Sequence, residues 1–216
     1  KIVGLAGFGQ TGQVCTATSR VIVNEKVADE FTEKLVEQAK ARNVGNGMAD
    51  GVTMGPAVSA GELKGNLDYI KIANDEGAEC VWGGERLSEG DLEHGHFMSP
   101  AVIANVKNSM RIAQEEVFGP VVSVVKCGDF DEAIALANDI EYGLSASIIT
   151  RDITMAMRYT DQIEAGVVKI NQISTGLALQ APFGGVKHSS TNSFKEQGQT
   201  AIDFYTRVKS VYLDYS

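Results

Sequence analysis

Three cysteines, Cys15, Cys80 and Cys127, are the strongest nucleophiles in this sequence. They are widely spaced and odd in number, a pattern that fits neither a disulfide framework nor a CxxC metal pair, so reduced thiols are expected. Cys15 differs from the others in its surroundings. It follows a glycine turn and precedes small residues, where a short helix is expected to begin. Converging N–H groups at such a helix start lower a thiol pKa and can also face an oxyanion. Two readings of Cys15 therefore stand: an activated nucleophile, or a small buried hydrophobe, the commonest fate of a free cysteine. Cys80 falls in a strand pattern and Cys127 at a strand end, and both read as buried hydrophobes. His94 and His96 form an HxH without a nearby Cys or further His, a poor metal set. They read as surface histidines, no metal is expected, and His188 receives no special role.

The same glycines allow a different chemistry. Gly7, Gly9 and Gly12 in GFGQTG spell GxGxxG after an apolar stretch, and Glu25 lies 18 positions after Gly7, near the spacing of a ribose-binding carboxylate. A Rossmann-type dinucleotide-binding module with no covalent chemistry is thus the alternative. Length opposes it: residues 13–19 are too few for the crossover helix that should follow. A glycine-rich turn that lets backbone pack closely accounts for the motif more simply.

Positioning these residues requires a scaffold, and the chain is long enough to provide one. At 216 residues, 44% hydrophobic and 22% charged, it has the composition of a soluble globular protein. The net charge of -9 disfavours a nucleic-acid or anionic-membrane surface, and neither an apolar stretch of spanning length nor a signal-peptide pattern is found. A cytoplasmic protein is expected. Short β-branched runs at 20–24, 78–82, 101–106, 121–126, 144–150 and 167–170 alternate with amphipathic stretches, in which Phe31, Leu35 and Ala39, then Leu63, Leu67 and Ile70, then Phe130, Ile134 and Ala137 share faces. That alternation predicts an α/β fold, a layered sheet with flanking helices. Residues 83–97 read as a polar surface loop, and 172–199 as a long, Gly-, Ser- and Gln-rich, weakly periodic segment of the kind that is either functional or mobile. Alternation through Val208, Ser210 and Tyr212 predicts a terminal strand whose edge invites a partner.

Read past the glycines, the segment becomes GQVCTATSRVIV. It is followed in order by QEEVFGPVVSV at 114–124, NDIEYGLSASI at 138–148, the Asn171 segment, PFGGVKHSS at 182–190 and FKEQG at 194–198. Together these motifs make the chain similar to the cysteine-dependent, NAD(P)-dependent aldehyde dehydrogenase superfamily, over nearly its whole length. The segment from Asn171 through Thr175, Gly176, Leu179 and Gln180, with the ending DFYTRVKSVYL, most resembles the α-ketoglutaric semialdehyde branch. Gln172 stands where that branch often has a basic residue, and Ser190 replaces the last Gly of the PFGG motif.

The resemblance implies a mostly parallel sheet with a catalytic domain over 1–204 and an oligomerisation strand over 205–216. It also implies an N-terminal truncation, with the dinucleotide-binding domain, the general base and the oxyanion Asn outside the chain, and a fragment inactive alone. It assigns Cys15 as nucleophile, with its backbone N–H as an oxyanion donor. Glu116 would bind the nicotinamide ribose hydroxyls, Phe118 would pack on the nicotinamide and Leu144 would border its pocket. Phe183 would line the substrate funnel, and Glu196 would be a possible proton relay. The implied cofactor is NAD or NADP, the substrate an aldehyde, and the assembly a dimer or tetramer. Acyl transfer to coenzyme A, in place of hydrolysis, stays open because the hydrolytic base lies elsewhere.

Overall fold

The computed structural model describes residues 1–191 and 195–216. Its centre is a four-stranded sheet in the order β1-β6-β5-β2, parallel between β1 and β6 and between β6 and β5, and antiparallel at the β2 edge. The chain enters through helix α1 (Ile2–Phe8) and reaches β1 (Arg20–Asn24) after a tight turn, then runs into α2 (Glu25–Lys40). Helix α3 (Ala60–Asp75) follows, then β2 (Glu79–Trp82), a small hairpin of β3 (Arg86–Leu87) with β4 (Phe97–Met98), and β5 (Ala101–Val106). The short helix α4 (Arg111–Gln114) leads to β6 (Val121–Cys127) and α5 (Phe130–Asn138). Beyond these come β7 (Tyr142–Gly143), β8 (Ser145–Ile148), α6 (Ile153–Gln162), β9 (Val167–Ile170), β10 (Val186–Lys187) and α7 (Gly198–Tyr205). Strands β8 and β9 form a separate parallel pair, and β7 and β10 an antiparallel one.

The near-continuous apolar runs explain the layering. In β6, Val121, Val122, Ser123, Val124 and Val125 are all buried, as expected of a strand covered on both faces. Val122 and Val124 pack with Phe8 of α1 and Ala28, Leu35 and Ala39 of α2. On the opposite face, Val121 and Val125 pack with Leu63, Ile70 and Ala73 of α3 and with Ile112 and Ala113 of α4. Asn24, Ser59 and Asp129 cap α2, α3 and α5 by accepting first-turn N–H bonds, which sets where each helix starts.

Most expected strands fall within two residues of those observed. Two sequence readings are corrected, and the Rossmann alternative loses its setting. The apolar residues before the glycines form helix α1 and Gly7 lies inside it, so the strand-turn-helix context of a Rossmann fingerprint is absent. Gly7 instead allows close contact: a Cβ there would overlap Val122 Cγ2. The polar stretch 83–97 holds the β3 arm of a hairpin and a 3-10 turn at Gly90–His94. The expected helix after Cys15 is only a turn, closed by Ala17 N–H to the Val14 carbonyl at 2.8 Å. With β1 opening at Arg20, and Thr16 and Thr18 β-branched, there is neither the length nor the propensity for a helix.

Residues 206–216 form no ladder within this chain, and Val208 and Tyr212 are 99% and 95% exposed. Among the described residues, no helix is long and apolar enough to cross a membrane, and no group of three or more His, Cys, Asp or Glu could hold a metal ion.

Candidate active site

The turn that carries Cys15 is held from below by a loop distant in sequence. Gln10, Thr11 and Gly12 have φ of 51°, 59° and 66°, and left-handed non-glycine residues each cost of order 1 kcal/mol or more. The bonds that offset this run to residues 55–58. Thr11 Oγ1 donates to the Gly55 carbonyl at 3.2 Å, Gln13 Nε2 donates to the Pro56 carbonyl at 3.1 Å, and Val58 N–H donates to Gln13 Oε1 at 2.8 Å. On the far side of the turn, Thr18 N–H reaches the Ala6 carbonyl and Ser123 N–H the Ser19 carbonyl. The turn is thus bonded to α1, to β6 and to the 55–58 loop, while Cys15 itself is exposed.

A second segment abuts this turn. Residues 115–119 link α4 to β6, and alternate side chains serve different ends. Glu115 is gripped: Arg111 donates to it from Nε at 2.7 Å and from Nη2 at 2.8 Å, and the Tyr69 hydroxyl donates at 2.7 Å. These bonds, Arg111 first and Tyr69 next, hold the Glu115 carboxyl down to about 2. Val117 is buried in the core. Glu116 and Phe118 are left exposed, Phe118 with φ 55°. Gly12 and Gly119 touch so closely that a Cβ on Gly12 would overlap the Gly119 carbonyl. The two segments therefore meet as bare backbone.

Between them lies a crevice of ≈ 50 Å³ lined by Val14, Cys15, Ala17, Thr18 and Ser19 from one side and by Glu116 to Gly119 from the other. A wider open groove of ≈ 560 Å³ runs between α2 and strands β2, β5 and β6, but its walls carry Asp29, Glu33, Glu79 and Lys126 and no cysteine. The small crevice holds the exposed Cys15 and is the candidate site. Its size suits the reacting groups alone, far below the ~300 Å³ or more of a pocket enclosing a whole ligand.

Three of the six expected site residues, Cys15, Glu116 and Phe118, thus converge. The others lie outside the crevice lining. Leu144, half-buried between β7 and β8, accepts from Val167 N–H at 2.9 Å. Its neighbour Ser145 donates to the Ser174 carbonyl, and Ser174 Oγ lies 2.8 Å from Thr18 Oγ1, which connects Leu144 to the crevice wall through Ser145 and Ser174. Phe183 and Glu196 are brought together by an antiparallel bridge, each N–H donating to the other's carbonyl at 2.6 Å. Phe194 of the FKEQG motif lies outside the described residues.

The remaining titratable groups separate from this centre. Burial pushes the Cys80 and Cys127 thiols up. His94 pairs with Glu93 and His188 with Glu141, each at 3.2 Å on exposed surface, while His96 is half-buried. Residues that composition alone did not single out do much of the positioning: Thr11, Gln13, Tyr69, Arg111 and Glu115. Only the Arg111 and Glu115 pair, at i and i+4, leaves a readable signal. Lys169 likewise fixes the long segment, donating at 2.7 Å to the carbonyls of both Thr175 and Gly176, and burial pushes its pKa down.

An exposed cysteine set against a Glu-x-Phe segment beside a mostly parallel sheet is the arrangement this chain presents. The family model for the aldehyde dehydrogenase family matches residues 1–211, and the chain belongs to that family. It is 54% identical over 215 residues to the alpha-ketoglutarate semialdehyde dehydrogenase of Haloferax volcanii, covering 99% of this chain and 44% of that protein. The alpha-ketoglutaric semialdehyde dehydrogenase of Bacillus subtilis is 46% identical over 206 residues, covering 95% of this chain and 42% of that protein. Among solved structures, betaine aldehyde dehydrogenase from Staphylococcus aureus in complex with NAD+ superposes with a TM-score of 0.90 at 38% identity, covering 94% of this chain and 40% of that one. The chain therefore spans about two fifths of the length of these relatives.

Proposed function

We propose that this chain is the catalytic portion of a cytoplasmic, NAD(P)-dependent aldehyde dehydrogenase that oxidises a semialdehyde of the α-ketoglutaric type to the carboxylic acid. The observation that carries this reading is the convergence of Cys15, Glu116 and Phe118, far apart in sequence, on one crevice. Cys15 is the nucleophile. Its thiolate sulfur adds to the aldehyde carbon, the C=O π pair becomes an oxyanion, and the resulting thiohemiacetal holds the substrate at a fixed point.

The residues present fit a nicotinamide ribose beside that point. An exposed carboxylate, Glu116, can accept from two vicinal hydroxyls, and the exposed Phe118 ring can confine a flat heterocycle to one face. Bare glycine backbone at positions 12 and 119 leaves the approach open. When bound, the nicotinamide supplies the two-electron acceptor that turns the adduct into a thioester. The thioester on Cys15 is then cleaved by water, releasing the acid and restoring the thiol, with a general base contributed from outside this chain.

Leu144 and Phe183 belong to the nicotinamide and substrate walls in this reading. The hydrogen-bonded path from Ser145 through Ser174 to Thr18 supports that placement of Leu144. Glu196, bridged by backbone to Phe183, is assigned the proton relay. Residues 1–204 form the catalytic domain, and the exposed 205–216 segment is the strand that pairs with another subunit in a homo-oligomer. The isolated chain is expected to be inactive, because the crevice offers no room for the adenine half of the cofactor.

Cys15→Ser tests the reading in the full-length enzyme. Hydride transfer should be lost while NAD+ affinity stays within about twofold, since an alcohol adds to the carbonyl far less readily and the Glu116 and Phe118 contacts remain. A wild-type burst of reduced cofactor from Cys15→Ala would overturn it.

A further inference from the structure

Helix α3 carries an amide where its spacing calls for an aliphatic side chain. Asn66 stands on the stripe between Leu63 and Ile70, is 0% exposed, and neither its Oδ1 nor its Nδ2 has a hydrogen-bond partner among the described residues. A buried amide without partners opposes folding, and an aliphatic side chain filling the same space would not. The reason for an amide at this place lies in what it touches.

That neighbour is Gly119. A Cβ on Gly119 would overlap the Nδ2, Cγ and Oδ1 atoms of Asn66, so the amide is pressed against the backbone that closes the Glu116 to Phe118 segment. Tyr69, one turn further along α3, holds Glu115 at the other end of the same segment. One face of α3 thus supports both ends of residues 115–119. Between the supports, Phe118 occupies the left-handed region at φ 55°, a strained conformation for a bulky aromatic residue. Strain of this kind clusters in segments with two accessible arrangements. Rotation of the peptide unit between Phe118 and Gly119 changes only the torsions on either side of it, and glycine tolerates the new values.

We propose that Asn66 is a positioning residue for the cofactor-binding segment: when a nicotinamide ribose seats on Glu116 and Phe118, the Phe118–Gly119 peptide rotates and pairs with the Asn66 amide. The inference rests on the assignment of Glu116 and Phe118 to the cofactor. The arrangement in this structure leaves the amide unpaired, and the rotated one satisfies it. Part of the cofactor's affinity is therefore the removal of a buried defect.

Three variants of the full-length enzyme test this, each measured for NAD+ affinity by titration calorimetry and for thermal unfolding without cofactor. Asn66→Val, apolar and closer to the amide in volume than leucine, should unfold at an equal or higher temperature yet bind NAD+ about fivefold more weakly, the equivalent of one net hydrogen bond. Asn66→Ala should unfold at a lower temperature, because it leaves a cavity, yet lose the same affinity. The aldehyde KM at saturating NAD+ should not change in either. Affinity that follows the amide while stability moves in opposite directions is the expected signature; affinity that follows stability, or does not change, overturns the proposal. Glu116→Gln separates the two levels of the argument. If it weakens NAD+ binding and the Asn66 variants do not, only the role of Asn66 falls. If it too leaves binding unchanged, the cofactor assignment of the segment falls with it.

Discussion

The two walls of the crevice and the C-terminal third of the chain are built by different means. The 9–19 turn and the 115–119 segment are fixed by side-chain bonds, Thr11 and Gln13 to the 55–58 loop and Arg111 and Tyr69 to Glu115, and by the bare backbone contact of Gly12 with Gly119. Residues 172–191 and 195–199 are held by short backbone bridges and by side chains that bind main-chain carbonyls, Lys169, Lys187, Ser145 and Ser147 among them, while Leu177 and Leu179 stand 52% and 76% exposed. The proposed reactive centre is held by bonds within this chain, whereas the proposed substrate and assembly surfaces are left open for what they meet. Preorganisation of the attacking group is where enzymes gain most from rigid support.

Breaking the first region should have the largest effect. Gly12→Val would drive a β-branched side chain into the Gly119 carbonyl at a left-handed position, and unfolding measurements should show a loss of about 3 kcal/mol or more together with loss of activity. A stability change below about 1 kcal/mol would mean that the two segments do not need their close contact. Next in size are the buried thiols. Cys127→Ala should cost about 1 kcal/mol of stability and leave the turnover number nearly unchanged, since Cys127 is buried at the end of β6, remote from the crevice lining.

A smaller effect sharpens the contrast through pH. The Glu115 carboxyl is held at about 2 in the fold by Arg111 and Tyr69, against an ordinary value of 4.5. A depressed carboxyl stabilises the folded state above its unfolded pKa, and that contribution is lost as pH falls through the folded pKa. Glu115→Gln should therefore be less stable than the wild type at pH 7, by less than about 1 kcal/mol because the pair is partly exposed. The difference between the two proteins should shrink between pH 4.5 and about 2. A difference independent of pH across that window would remove the ionic grip from the account. Smallest for the body of the fold is the tail. Deleting 208–216 should change monomer stability by less than about 0.5 kcal/mol, yet lower the oligomeric state of the full-length enzyme in light scattering.

The same contrast explains what could be read from sequence. The β-branched runs and the Phe31, Leu35 and Ala39 stripe follow from local periodicity and were legible, and the motif drew attention to Cys15, which the structure places exposed in a crevice with Glu116 and Phe118. The helix expected after Cys15 was not found, because converging glycines suggest a helix start regardless of whether enough residues remain before β1. Gln13, Tyr69 and the 55–58 loop act through contacts between segments distant in sequence, and periodicity carries no trace of those. Asn66 did leave a mark, a polar residue on an apolar stripe between Leu63 and Ile70. That mark becomes informative only once Gly119 is known to press on it.

The central claim is that Cys15 is the nucleophile of a site shared with Glu116 and Phe118. Its most direct measurement is mass spectrometry of the full-length enzyme quenched during turnover with an aldehyde and NAD+, followed by peptide mapping. The account predicts an acyl mass on the peptide containing Cys15, its absence in Cys15→Ala, and none on the peptides containing Cys80 or Cys127. An acyl adduct on either of those cysteines, or turnover with no adduct on Cys15 when thioester hydrolysis is slowed by low pH, would contradict it.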